Sequence, residues 1–243
     1  MAKLYYDFHL HSCLSPCGDD DMTPANIAGM ASVIGLNAIA VTDHNSCKNC
    51  EALLFYAKQL GLLAIPGMEL CTAEEVHVLC YFHTLTEALH FQDYIYGRML
   101  PIKNNPEYFG NQLIYNCEDA VCGTEDISLI TSTQVTFFEL PDLIAEYHGI
   151  MVPAHIDKNS NSLLSNLGFI PENCRFKTVE TADISHREEL TAAHPYLENC
   201  RFLCSSDAHT LAAIHNPEYY LELPEFSVGN ILSAIANESA GDK

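Results

Sequence analysis

Asp7-Phe8-His9-Leu10-His11-Ser12 sets two imidazoles two residues apart in a stretch flanked by apolar side chains. Side chains of an extended strand repeat every second residue, so His9 and His11 share a face, with Asp7 beside them. Two neutral imidazoles on one rigid face make half of a divalent-metal site. Alone, a His-x-His pair reads as readily as two ordinary solvated histidines, but here the pattern recurs along the chain. Asp43-His44, Glu69, His77, His155 and Asp207-Ala208-His209 also sit at the ends of apolar runs of strand length. Burying so many imidazoles and carboxylates on one face without cations would be costly. Nitrogen and oxygen donors together suit zinc, manganese or iron, whereas oxygen alone would suit magnesium or calcium. The set therefore predicts two or three divalent ions with a bridging carboxylate.

The elements that must position these residues alternate. Thr23-Pro24 as cap and first residue, with Gly35 as stop, brackets a helix over 25–34. A continuous apolar strand over 37–42 ends in Asp43-His44. Asn45-Ser46 is expected to cap a second helix that carries Leu53, Leu54, Ala57 and Leu60 and stops at Gly61. Strands follow over 62–66 and 76–82, then, after a break, a helix over 141–148 and strands over 150–154, 177–181 and 201–204. A final strand over 218–223 and a helix over 227–236 close the chain. Apolar runs without clean alternation predict parallel strands buried on both faces, an α/β architecture with its chemistry at the strand carboxyl ends. Residues 83–140 break the rhythm, with a strand pair over 112–123 around Glu118-Asp119. They read as an insertion covering the site within one domain spanning 1–243.

Eleven basic against 32 acidic residues give a net charge of −21. Such a surface repels long phosphate backbones, so the expectation is a small phosphorylated substrate and no long nucleic acid. No 18-residue apolar stretch exists to span a membrane, and Met1-Ala2-Lys3-Leu4 enters a strand without the apolar core of a signal peptide. A cytoplasmic protein is expected. The 11 cysteines, an odd number, then read as reduced and mostly buried. Cys47-x-x-Cys50 lacks a second pair at zinc-finger spacing and is expected to be structural.

Asp7-x-His9-x-His11-Ser12, Thr42-Asp43-His44, Gly67-x-Glu69, His77, Ala154-His155 and Ser206-Asp207-Ala208-His209 together resemble the PHP family, the polymerase and histidinol phosphatase superfamily of metal-dependent phosphoesterases. The motifs stand in family order from residue 7 to residue 209. The resemblance implies an irregular barrel of seven βα units with the metals at the strand carboxyl ends. It implies one ion held by His9, His11, Glu69 and Asp207, and a second sharing Glu69 with His77 and His155. A third would be held by His44, His209 and a group from the loop after His11. Many members read Ser-Asp-Gly in that loop, whereas this chain reads Ser15-Pro16-Cys17-Gly18-Asp19-Asp20-Asp21. Asp19 is the candidate ligand there, with Cys17 its rival.

Asp43 is expected to orient His44 rather than bind metal, and Glu180 carries no implied ligand role. His83, His90, His148, His194 and His215 lack partners in the sequence and read as ordinary. Among the few cations Lys158, three residues after His155, is best placed for a phosphate, ahead of Arg187 and Lys103. The expected activity is hydrolysis of a small phosphomonoester or nucleotide by a metal-activated water. Lys158 would neutralise charge on the phosphate, and His44 or His209 would protonate the leaving oxygen. Trimming of short oligonucleotides, or a non-catalytic metal-binding regulatory module, are the alternatives.

Overall fold

The computed structural model describes residues 1–171 and 174–237. Strands and helices alternate first: β1 (Ala2–Leu10), α1 (Pro24–Ile34), β2 (Ala38–Val41), α2 (Cys50–Gln59) and β3 (Leu63–Cys71). α1 has the expected ends. Thr23 Oγ1 accepts from the Asn26 N–H at 3.2 Å, and Gly35 closes the helix in the left-handed region at φ 92°. α2 starts later than the Asn45-Ser46 cap predicts, because Asn45 is engaged elsewhere. Its amide donates to the carbonyls of Leu129 (2.8 Å) and Thr131 (2.9 Å) and accepts from the Cys71 N–H (2.9 Å).

Beyond β3 come β4 (His77–Tyr81), α3 (Leu85–Tyr96), α4 (Pro106–Phe109) and the hairpin β5 (Leu113–Tyr115) with β6 (Val121–Thr124). Then follow α5 (Leu140–Glu146), β7 (Ile150–Pro153), α6 (Leu163–Leu167), β8 (Thr178–Glu180), α7 (Arg187–Ala193), β9 (Arg201–Leu203), β10 (Tyr220–Leu223) and α8 (Val228–Ile235). One sheet has the order β10-β1-β2-β3-β4-β7, and β8 pairs with β9 in parallel. The six-stranded sheet curls, and the β8–β9 pair joins its two sides. On one side the Ile156 N–H donates to the Glu180 carbonyl at 2.9 Å. On the other the His11 N–H donates to the Ala208 carbonyl at 3.0 Å. The result is the expected irregular α/β barrel, with β10 added antiparallel outside β1.

The strand directions differ from expectation in one place. β3 turns back through residues 72–76, and β4 runs antiparallel to both β3 and β7. An apolar strand buried on both faces looks alike in either direction, so composition does not reveal the reversal. His77 opens β4, and because β4 is reversed, its amino end lies on the rim where the other strands end. The site is thus built from carboxyl ends and one amino end.

A second irregularity aims the first two histidines. In β1 the pairing with β2 passes from Asp7↔Ile39 to Leu10↔Val41, three residues against two, which is a bulge. Before it, Leu4, Tyr6 and Phe8 join the barrel interior with Ala40, Ile65, Leu79 and Tyr81. After it, Leu10 faces outward with Ile39 and Val41 against Ile27 of α1 and Leu53 of α2. The side-chain phase has flipped, so His9 and His11 point inward where an unbroken strand would turn them out.

The 83–140 region packs on the loops after β1 and β2. The Leu113 N–H donates to the Cys13 carbonyl at 2.8 Å, and the Asn45 bonds described above reach its second half. Gly110 has φ +80°, and a Cβ there would lie 2.5 Å from the Pro16 carbonyl oxygen. Only glycine permits this approach beside Cys17.

Candidate metal centre

Glu69, buried on β3, is the hub. Its Oε1 lies 3.3 Å from His9 Nε2, 2.9 Å from His77 Nδ1 and 3.2 Å from His155 Nε2. Its Oε2 lies 3.2 Å from His11 Nε2 and 2.9 Å from His44 Nδ1. Asp207 Oδ1 adds contacts of 3.3 Å to His9 Nε2 and 3.1 Å to His11 Nε2. Five imidazoles from β1, β4 and the loops after β2 and β7 thus meet one carboxylate. Two of the residues, His155 (φ 29°) and Asp207 (φ 52°), hold left-handed backbone, strain of the kind that collects at functional sites.

Hydrogen bonds fix two of the rings. His9 Nδ1–H donates to Glu180 Oε2 at 2.8 Å, which leaves Nε2 with its lone pair facing the cluster. Ser15 has one hydroxyl proton, and it donates to Asp43 Oδ1 at 2.7 Å. The 2.9 Å contact between His11 Nδ1 and Ser15 Oγ must then be donated by the ring, freeing Nε2. The two Nε2 atoms lie only 3.2 Å apart. Lone pairs facing each other and two carboxylates at that range need a positive charge between them.

The charges respond accordingly. Burial lowers the pKa of His9, but Glu180, Asp207 and Glu69 outweigh it and hold the ring well above its usual value. His11 is raised for the same reason, by Asp207 and Glu69 against burial. Burial also opposes protonation of His77, yet Glu69 lifts it to about 10. Against its own burial, Glu69 is held well below the carboxylate range by His77, His9 and His44. By contrast burial takes His44 down to about 3, and burial with the nearby His11 takes His209 to about 4. These last two rings are neutral at pH 7, which suits donation of a lone pair and not of a proton.

Glu69 Oε2, His44 Nδ1, His155 Nδ1 and Glu180 Oε1 are buried with no hydrogen-bond partner among the described residues. Orphaned lone pairs and carboxylate oxygens at one point fit bound divalent cations. Three groups have donor atoms within 4.8 Å of one another: His9, His11 and Glu69; His44, Glu69 and His77; and His11, Cys17, His44 and His209.

The third group decides between the two loop candidates by placement. Cys17 presents its sulfur to the histidines, while Asp19 is exposed and its Oδ1 accepts from the Asp21 N–H at 3.0 Å. Asp19 is therefore not brought to the cluster. Gly18 permits the turn, since a Cβ there would lie 2.3 Å from the Ser12 carbonyl oxygen. Burial and the Glu69 charge push the Cys17 thiol up to about 12.

Asp43 does not orient His44. Its carboxylate accepts from the Ser12 N–H (2.7 Å), the Ser12 hydroxyl (2.6 Å) and Ser15, and so it steadies His11 through Ser15. Asp7 likewise ties strands together, accepting from the Ser206 N–H at 3.0 Å. Glu180 gains a role that the sequence did not suggest. Its only sequence signal was a carboxylate closing a strand, and its partner lies 171 residues away.

Lys158 donates to Asp207 Oδ2 at the edge of the cluster, its side chain 40% exposed. Burial works against its charge, but Asp207 raises its pKa. Arg187 instead lies over the Phe202 ring at 5.3 Å, and Lys103 bridges to Ile127 within the 83–140 region. Among the described residues no helix is long and apolar enough to cross a membrane.

Solved structures share this fold. The lesion-specific endonuclease EndoQ from Pyrococcus furiosus matches at 18% identity and a TM-score of 0.68, over 98% of this chain and 57% of its own. Endonuclease Q in complex with a 27-mer duplex substrate carrying an abasic lesion at the active site matches at 18% identity and a TM-score of 0.64, over 98% and 58%. This chain thus spans little more than half the length of those endonucleases. A candidate metal-dependent phosphoesterase from Bifidobacterium adolescentis matches at 15% identity and a TM-score of 0.59, over 95% and 94%. No curated protein sequence matches.

The endonuclease complex corrects one expectation. A net charge of −21 was read as excluding long nucleic acid, yet this fold accommodates a duplex. Net charge averages over the whole surface, whereas a bound strand meets only the local field at its groove. The PHP domain profile matches residues 7–160, more than half of the sequence. With its barrel and histidine–carboxylate cluster, the chain belongs to the PHP family.

Proposed function

We propose that the protein is a metal-dependent hydrolase of phosphate esters acting on a small phosphomonoester, with a mononucleotide the leading candidate. The observation that carries this is the convergence of five imidazoles on the two oxygens of Glu69 with one lysine at the margin. His9, His11 and Asp207 gather on one side of Glu69, and His77 and His155 on the other. His44, His209 and Cys17 make a third set. Two or three divalent ions, zinc, manganese or iron by donor type, suit these groups. Such ions supply Lewis acidity and a nucleophilic water near neutral pH.

The protein's own groups do the remainder. Glu180 and Ser15 fix the ring tautomers of His9 and His11, so donors are in place before substrate arrives. Lys158 meets the equatorial oxygens of the phosphate as a point charge, a contact that strengthens as charge grows there. His44 and His209, neutral at pH 7, serve as donors to metal and not as the acid for the leaving oxygen.

The test is hydrolysis of mononucleotides by the as-purified protein, its loss on chelation, and Lys158→Ala. That substitution is expected to lower kcat/KM by roughly ten- to a thousandfold with metal content unchanged. Turnover that survives complete chelation would reject the proposal. A second activity, cleavage of DNA at a lesion, is favoured by the match to the endonuclease over 98% of this chain. Faster turnover of an abasic 27-mer duplex than of a mononucleotide would make it the principal one.

A further inference from the structure

The loops that follow β7 and β8 enclose a groove of about 440 Å³ beside the metal cluster. Its position is set by the residues that end those strands. His155 and Glu180 belong to the cluster, and two residues after His155 the chain reaches Asp157. The Asp157 carboxylate accepts from the N–H groups of Ala182 (2.7 Å) and Asp183 (3.0 Å), joining the two loops. It also accepts from His186 Nδ1–H at 2.9 Å. That bond leaves His186 Nε2 as an acceptor on the groove wall, in a side chain that is 49% exposed. Leu164 of α6 and Leu190 and Ala193 of α7 form the apolar wall. Lys158 lines the groove and also reaches Asp207 at the cluster, so a single side chain joins the two spaces.

We propose that this groove is the leaving-group subsite and takes a nucleoside-sized alcohol whose phosphate lies at Lys158. It deepens the phosphate-ester proposal above and rests on it. Its volume falls within the range of small-molecule sites, which pair an apolar wall with a few polar contacts. The base or other flat apolar body lies against Leu164, Leu190 and Ala193. His186 Nε2 accepts from a hydroxyl or amino group of the alcohol and sets its orientation. His186 carries no strand-end or spacing signal in the sequence, and only the fold brings it to the rim of the site.

The experiment is calorimetric titration of the full-length, manganese-supplemented protein with AMP and, separately, with inorganic phosphate. AMP is expected to bind at least about tenfold tighter than phosphate, the gain from filling an apolar pocket. Ala193→Trp, which fills the groove, is expected to bring AMP to within about threefold of phosphate while phosphate affinity stays unchanged. His186→Ala, on the exposed wall and without risk to the core, is expected to weaken AMP about five- to tenfold and phosphate by less than about twofold. AMP binding no tighter than phosphate in the unsubstituted protein would overturn the subsite alone. So would equal losses for both ligands in His186→Ala. Failure of the unsubstituted protein to bind either ligand would overturn the phosphate-ester proposal itself.

Discussion

The two sides of the cluster are held differently. On the side of β1 and β9, three rings are anchored at the nitrogen that faces away from the cluster or toward the main chain. His9 donates to Glu180, His11 to Ser15, and His209 Nδ1 to the Asp207 carbonyl at 2.7 Å. On the side of β2 and β7, His44 Nδ1 and His155 Nδ1 are buried without hydrogen-bond partners among the described residues. A ring anchored at one nitrogen presents the other in fixed tautomer and direction, whereas an unanchored ring takes its orientation from whatever it binds. The β1 side is thus a preformed receptor, and the β7 side is completed by its ligand. Glu69 stands between them and serves both.

The largest expected effect removes that shared member. Glu69→Gln should abolish hydrolysis and lower metal content by more than one equivalent, read by elemental analysis; retention of the full complement would show that the two sides fill independently. Next, Glu180→Ala should make the β1 side resemble the β7 side. Metal affinity is expected to fall about ten- to a hundredfold, the usual effect of losing a residue that orients a ligand. An unchanged affinity in a competition titration against a chelating dye would mean that anchoring does not distinguish the two sides. A smaller effect is expected at the third group, where Cys17→Ser should cost metal and activity while Asp19→Ala should cost little. The reverse pattern would return the role to Asp19.

The smallest effect concerns pH. In metal-stripped protein the pair Glu69–His77 stands in for a cation. Glu69 is depressed below its ordinary 4.5, so its contribution is present above that pH and is lost as pH falls further. His77 is raised from 6.5 to about 10, so its contribution is full below 6.5 and is lost as pH rises toward 10. The stripped protein should therefore be most stable between those two ordinary values, and its Tm should drop by a few degrees on the alkaline side. Added metal should flatten the alkaline limb, because the ligands are then deprotonated in any case. A flat Tm in the stripped protein would refute the pairing.

Much of the site was legible because it obeys short-range rules. The period of two put His9 and His11 on one face, and the Thr23 and Gly35 caps set the ends of α1. Which face those histidines take was not legible, since it depends on a bulge between Asp7 and Leu10 that leaves no mark in the composition. The reversal of β4 was hidden for a similar reason. The turn over 72–76 has Glu75 in the left-handed region, φ 61°, where glycine or asparagine would have announced it. Asp43 and Glu180 were visible as carboxylates at strand ends, but nothing local separates a metal ligand from a group that steadies one. Those roles are settled by partners far away in sequence, Ser15 for Asp43 and His9 for Glu180.

The Lys158–Asp207 ion pair makes loading of the site sequential. An ammonium held by one of the cluster's own carboxylates is a placeholder, occupying with a tethered charge the surroundings of a dissociable one. A divalent ion that engages Asp207 releases the lysine, and the released lysine is what an incoming anion needs. Cation and anion are then thermodynamically linked, each raising the other's affinity by the same factor. Phosphate would tighten metal binding as much as metal tightens phosphate, and a protein short of metal would also turn away substrate it could not process.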